Sequence, residues 1–113
     1  MIKRIAGSAP TRSRAVVHDG RVFTVATAKT KSASLYEQTR DALETLDRNL
    51  ADAGSSKAKL LSVTVYITDM TKKADMNRAW DEWVDTANAP QRACLAVALE
   101  GEDLIELVVT AAC

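Results

Sequence analysis

Arg92 and Glu106 are the two residues whose types and settings invite a chemical reading. Arg92 stands two residues after Pro90 at the head of a predicted strand, and Glu106 lies inside Leu104-Ile105-Glu106-Leu107-Val108-Val109, the most apolar stretch of the chain. An ionised carboxylate in such a strand is costly unless it is paired or hydrogen-bonded. Two structural readings meet that need: an Arg92–Glu106 ion pair, or a Glu106 that faces solvent on an edge strand. A functional reading uses the residues separately, with Arg92 as a planar fork for a substrate carboxylate and Glu106 as a general base that activates water.

Register bears on the choice. If the last two strands paired directly around Gly101-Glu102, Arg92 would lie opposite about Ala111, roughly 16 Å along the strand from Glu106. The two would not meet. Either another strand intervenes and changes the register, or a site draws Arg92 and Glu106 from different subunits. Cys94, two residues beyond Arg92, falls on the same side of the strand. With no histidine nearby to activate its thiol, it reads as a small wall residue whose backbone serves the pocket.

The rest of the inventory mainly excludes. Four glycines, none spaced for a phosphate-cradling loop, a nucleophile elbow or a dinucleotide fingerprint, remove kinases, α/β-hydrolases and Rossmann enzymes. His18 is the single histidine and precedes the turn pair Asp19-Gly20, so it reads as a turn-flanking surface residue. Cys94 and Cys113 come with no cluster at metal-ligand spacing, and reduced thiols with no metal are expected.

The elements that must hold these residues follow from periodicity. Ile2 to Ala6 reads as a short edge strand and Ser8-Ala9-Pro10-Thr11 as a loop. Ala15 to His18, Asp19-Gly20 and Arg21 to Val25 form a hairpin signal, because Asp-Gly tolerates the positive φ of a tight turn. Ser34 with Glu37 is a capping box that opens a helix of about 18 residues, with Tyr36, Leu43, Leu46 and Leu50 on one face and Gly54 at its stop. Leu60 to Ile67 carries apolar groups on both alternating sets, as an interior strand does. A second helix, Lys72 to Thr86, has its stripe at Met76, Ala79, Trp80, Trp83 and Val84, which makes both tryptophans core. Strands Arg92 to Leu99 and Leu104 to Ala112 complete a β-β-β-α-β-α-β-β order. That order predicts an α+β fold with two helices on one face of a mixed sheet. Two helices cannot cover both faces, and self-association is the simplest cover for the other.

At 113 residues, 47% of them hydrophobic and 27% charged, the chain is one globular domain spanning residues 1–113. Fifteen basic and fifteen acidic residues give zero net charge, which argues against an obligate nucleic-acid binder. Residues 1–31 nevertheless set seven basic groups against Asp19 alone, a +6 arm balanced by −6 in the remainder. The arm is read as a solvated basic face, as positive potential for a small-anion pocket, or, least favoured, as an RNA contact. No run approaches the roughly 20 apolar residues of a membrane span, and Met1 to Ala6 lacks a signal peptide's apolar region. A cytoplasmic location is expected.

Ala89-Pro90-Gln91-Arg92-Ala93-Cys94-Leu95, the later Glu106, and Met76-Asn77-Arg78-Ala79-Trp80-Asp81-Glu82-Trp83-Val84 together resemble the Rid (YjgF-like) family of reactive intermediate deaminases, especially its short bacterial members. The likeness extends to Val16-Val17-His18-Asp19-Gly20 and to Ser62 through Met70. It implies a chorismate-mutase-like fold with a six-stranded sheet, a homotrimer, and three clefts between subunits. There 2-imino or 2-enamino acids are hydrolysed to 2-keto acids and ammonia without a cofactor. By position, the resemblance makes Arg92 the carboxylate clamp, Glu106 the residue that positions or activates water, Cys94 a pocket wall and Asn77 a support. The small-molecule partner is then a carboxylate. Three positions depart from the family pattern. Ala26 stands in a glycine position, where it adds a methyl where backbone would approach ligand, Thr27 replaces a glutamine, and Ser13 aligns with a pocket tyrosine. These departures motivate an alternative, a non-catalytic binder of small carboxylates or regulatory protein; ribonuclease activity, attached to the family by an old name, comes third.

Overall fold

The computed structural model describes residues 1–31 and 34–113. Asp19 (φ 50°) and Gly20 (φ 74°) both take left-handed backbone, the conformation that lets a two-residue turn match strand twist. That turn joins β2 (Ser13–His18) to β3 (Arg21–Thr27), and β1 (Lys3–Ala6) lies antiparallel along the outer edge of β2. His18 is exposed beside the turn, as the Asp-Gly pair implies.

Helix α1 (Leu35–Asp52) begins where Ser34 Oγ accepts from the Glu37 amide at 3.3 Å. It ends on Gly54 at φ 81°, with Ser55 N donating to Leu50 O at 2.8 Å and Gly54 N to Ala51 O at 3.1 Å, the paired bonds of a glycine C-terminal stop. Leu43, Leu46 and Leu50 are buried as the stripe predicts, whereas Leu35 rather than Tyr36 supplies the first buried contact. Tyr36 is half-buried and its hydroxyl donates to Glu82 Oε1 at 2.5 Å.

Strand β4 (Leu60–Ile67) leads through a turn of 3₁₀ helix, Met70–Lys72, into α2 (Lys73–Trp83). The second helix is shorter than the expected Lys72 to Thr86. Val84 turns extended and the Asp85 carboxylate caps the next turn, accepting from Asn88 Nδ2 and Ala87 N, each at 3.0 Å. The Asn88 amide first, then the Ala87 N–H, hold the Asp85 carboxyl below its ordinary range. Trp80 is core, as expected. Trp83 is half-buried and donates through Nε1 to Asp47 at 2.9 Å, so only one tryptophan is sealed inside.

β5 (Gln91–Ala96) runs parallel to β4, because α2 provides the long crossover a parallel pair needs. The final strand, β6 (Ile105–Ala112), does not pair with β5. It enters the middle of the sheet, antiparallel to β3 on one side and β4 on the other, giving the order β1-β2-β3-β6-β4-β5. The fold is α+β, with both helices on one face of a mixed six-stranded sheet, as the element order implied.

Val22, Val63, Val65, Ile67, Leu107 and Val109 line the helix-covered face and are buried against α1 and α2. The opposite face presents Phe23 (46% exposed), Val25 (48%), Leu95 (43%) and Val108 (39%) to solvent. Buried area stabilises by roughly 25 cal/mol per Å² of apolar surface, and on this face that contribution is forgone by the single chain. Among the described residues, no helix is long and apolar enough to cross a membrane.

Candidate functional site

Arg92 sits on the edge strand β5, opposite Val63 of β4. Val63 is buried beneath the helices, so Arg92 shares that side and its long chain runs out under α2. Its Nη2 donates to Asn77 Oδ1 at 2.8 Å, its Nη1 lies 3.7 Å from Met76 Sδ, and its guanidinium carbon is 5.3 Å from the Trp80 ring centroid. Met76 and Trp80 are one turn apart on α2, and Asn77 follows Met76; the helix thus offers an apolar shelf with one polar acceptor. Arg92 is half-buried and, among the described residues, makes no ion pair. Cys94 lies opposite buried Val65, on the same side as Arg92 and packed against the core. Arg92 and Cys94 therefore share one side of β5, and Asn77 reaches Arg92 from α2.

Glu106 belongs to the opposite face. Its strand neighbours Ile105 and Leu107 are fully buried under the helices, so the intervening carboxylate points to the open side. It lies directly opposite Thr27 of β3 and Tyr66 of β4. Glu106 is half-buried and, among the described residues, its carboxylate neither accepts a hydrogen bond nor forms an ion pair. Ser13 opens β2 beside a register shift opposite Ala6, at the end of the sheet where β3 reaches Thr27.

These placements correct both structural readings of the two charges. β6 is an interior strand, not an edge. No Arg92–Glu106 ion pair forms, because Val63 is level with both Arg92 and Val109. That leaves Glu106 three residues away, about 10 Å along the strand, and on the other face. The intervening strand is β4. One chain thus holds the two candidate groups apart, a guanidinium on its anchored shelf and a carboxylate on the open sheet.

Ala26 requires a further correction. Its methyl is 2% exposed and turns into the core under α1, away from Glu106, so it does not crowd that face. Of the two adjacent departures, only Thr27 changes what stands beside the carboxylate. Tyr66 escaped the sequence reading as a site residue. The available signal was its place as the one aromatic residue of β4, on the same alternating set as Ser62 and Thr64.

A cleft of about 370 Å³ lies between the helices and includes Tyr36, Arg40, Lys57 and Trp83. It contains none of the seven candidate residues, and its Tyr36 hydroxyl and Lys57 ammonium are already engaged by Glu82 and the Trp83 carbonyl. Part of the basic arm is engaged in the same way. Arg14 donates to Asn49 Oδ1 at 2.8 Å and Asp52 Oδ2 at 2.6 Å, and Lys31 pairs with Asp103. Among the described residues, no three His, Cys, Asp or Glu side chains gather to hold a metal.

A family model described as Endoribonuclease L-PSP matches residues 4–113. The chain belongs to the Rid/YjgF family. A RutC family protein of Haemophilus ducreyi is 36% identical over 102 residues, covering 88% of this chain and 87% of the relative. A YjgF family member from Neisseria meningitidis, known from its crystal structure, superposes with a TM-score of 0.94 at 35% identity, over 99% of this chain and 94% of that one. A Rid family protein from Yersinia pestis shares the fold at a TM-score of 0.89 and 22% identity, over 97% and 94%. The Rid resemblance drawn from the Pro-x-Arg-x-Cys segment and Glu106 is therefore a membership.

Proposed function

We propose that this Rid-family chain forms a homotrimer whose clefts hydrolyse 2-imino and 2-enamino acids to 2-keto acids and ammonia. The observation that carries the reading is Arg92, a half-buried guanidinium fixed by Asn77, Met76 and Trp80 and left without a carboxylate of its own. A planar fork of this kind suits a substrate carboxylate, and anchoring it beforehand reduces the ordering cost of binding. Glu106 of a neighbouring subunit supplies the second charge, which accords with the two half-sites lying on opposite faces of one chain.

In the proposed step, a water held by Glu106 attacks the imine carbon. The carboxylate takes a water proton as the new C–O bond forms, and the C=N π pair moves to nitrogen. Proton transfer to that nitrogen and collapse of the carbinolamine break the C–N bond, giving the ketone and releasing ammonia. An enamine first gains a proton at carbon to become the imine. Because the imine carbon is already electrophilic, orientation and a placed base supply most of what is needed.

Arg92→Ala should abolish ammonia release from a freshly generated 2-imino acid while the assembly stays intact. Unchanged release sinks the assignment. Binding of a 2-keto acid by calorimetry, with no imine turnover, would instead favour a non-catalytic carboxylate binder, for which Thr27 beside Glu106 is the motivating departure. RNA cleavage draws support from the family description and the basic arm. The ties of Arg14 to Asp52 and of Lys31 to Asp103 reduce the potential that arm offers a phosphate backbone.

A further inference from the structure

Tyr66 and Glu106 are directly opposed on the adjacent strands β4 and β6. Both point to the open face, since Val65 and Ile67 on one strand and Ile105 and Leu107 on the other are fully buried on the helix side. Side chains so opposed start about 5 Å apart at Cβ. Among the described residues neither the Tyr66 hydroxyl nor the Glu106 carboxylate has a hydrogen-bond partner, and neither is sealed from water. The other side chain opposed to Glu106 is Thr27, also uncharged, and the next in the row beyond Tyr66 is Leu95. A polar pair with free donor and acceptor capacity therefore stands on the open face.

We propose that Tyr66 is a further catalytic residue, its hydroxyl holding the hydrolytic water jointly with Glu106. The water donates one hydrogen to the carboxylate and accepts the phenol O–H, which directs its remaining lone pair at the imine carbon. During attack the proton passes to Glu106 and the phenol keeps its own, so the hydrolysis stays balanced as imine plus water giving ketone plus ammonia. The kinetic role rests on the deaminase reading. The Tyr66–Glu106 neighbourhood does not.

The experiment separates the two. Tyr66→Phe keeps the ring and removes only the hydroxyl. In imine hydrolysis it should lower kcat about tenfold, the scale of a lost water-positioning group, with KM held within about twofold. Tyr66→Phe added to Glu106→Gln should cost little beyond Glu106→Gln alone, because both act on one water. Wild-type turnover by Tyr66→Phe, or losses that multiply in the double variant, overturns the proposal. A second measurement needs no turnover. The chain has two tyrosines, so fluorotyrosine labelling gives two fluorine resonances. Glu106→Gln should displace the Tyr66 resonance and leave that of Tyr36, bonded to Glu82, in place. An unmoved Tyr66 resonance refutes the pairing, whereas a wild-type protein without ammonia release refutes the deaminase reading alone.

Discussion

The Arg92 guanidinium donates to Asn77 Oδ1 at 2.8 Å, so a strand-edge cation is oriented by a helix rather than by a carboxylate. An amide oxygen can do this without neutralising the charge. The distinction matters, because a carboxylate at the same place would compete with that of the proposed substrate.

Removing the anchor should loosen binding before it slows chemistry. Asn77→Ala is expected to raise KM for a 2-imino acid about tenfold, in keeping with about 1.5–3 kcal/mol for a hydrogen bond to a charged group. Asn77→Asp should bind substrate still more weakly, since it would pair with Arg92. Steady-state kinetics on both variants check the order, and an Asp variant that binds better than Ala contradicts it.

Asn49 is the polar tie between α1 and the sheet. It is 1% exposed; its Nδ2 donates to Thr24 Oγ1 at 3.1 Å and Val25 O at 3.3 Å, and its Oδ1 accepts from Arg14 Nη1 at 2.8 Å. Asn49→Leu should destabilise the protein by about 2–3 kcal/mol, because several partners lose their bonds at once. Urea unfolding with an unchanged m-value is the appropriate measure.

Asp69 gives an acid-dependent contribution. Hydrogen bonds from Thr71, the side chain at 2.6 Å and the amide at 3.0 Å, hold its carboxyl below the ordinary 3.8. A depressed carboxylate stabilises above the unfolded pKa and loses that contribution as pH falls through the folded one. Asp69→Ala should therefore be less stable than wild type at pH 7, and the gap should close as pH falls below 3.8. Paired denaturation curves at neutral and acid pH test this.

The open sheet face should govern assembly. Val108 lies between Val25 and Thr64 on that face, and Val108→Glu places a charge where apolar surface would be buried between copies. A trimer by light scattering for wild type and smaller species for the variant are the expected results. A monomeric wild type would remove the proposed trimer.

Much of this molecule was legible before the structure. Asp19-Gly20 marked the hairpin, Ser34 and Gly54 the limits of α1, and the Met76–Trp80 spacing the buried side of α2. Those are local signals, set by turn chemistry and periodicity. Strand order is not local. Nothing in residues 104–112 encodes that β6 inserts between β3 and β4, and that insertion decides that Glu106 faces Thr27 and Tyr66. Period-two alternation turns Glu106 away from Ile105 and Leu107, but the side taken by Arg92 became readable only once α2 lay over β5. Ala26 illustrates the same gap: its methyl looked like an obstruction until the strand's facing turned it into the core.

The separation of Arg92 from Glu106 also has a consequence for mixtures. Under the proposed reading each copy lends its guanidinium to one cleft and its carboxylate to another, so two differently disabled chains can repair each other. Arg92→Ala, inactive alone, and Glu106→Gln, strongly impaired alone, should regain activity when refolded together. With random assembly into threefold rings, about a quarter of the clefts would draw both intact groups from different partners. Strong dilution should silence the wild type for the same reason, without unfolding a single chain.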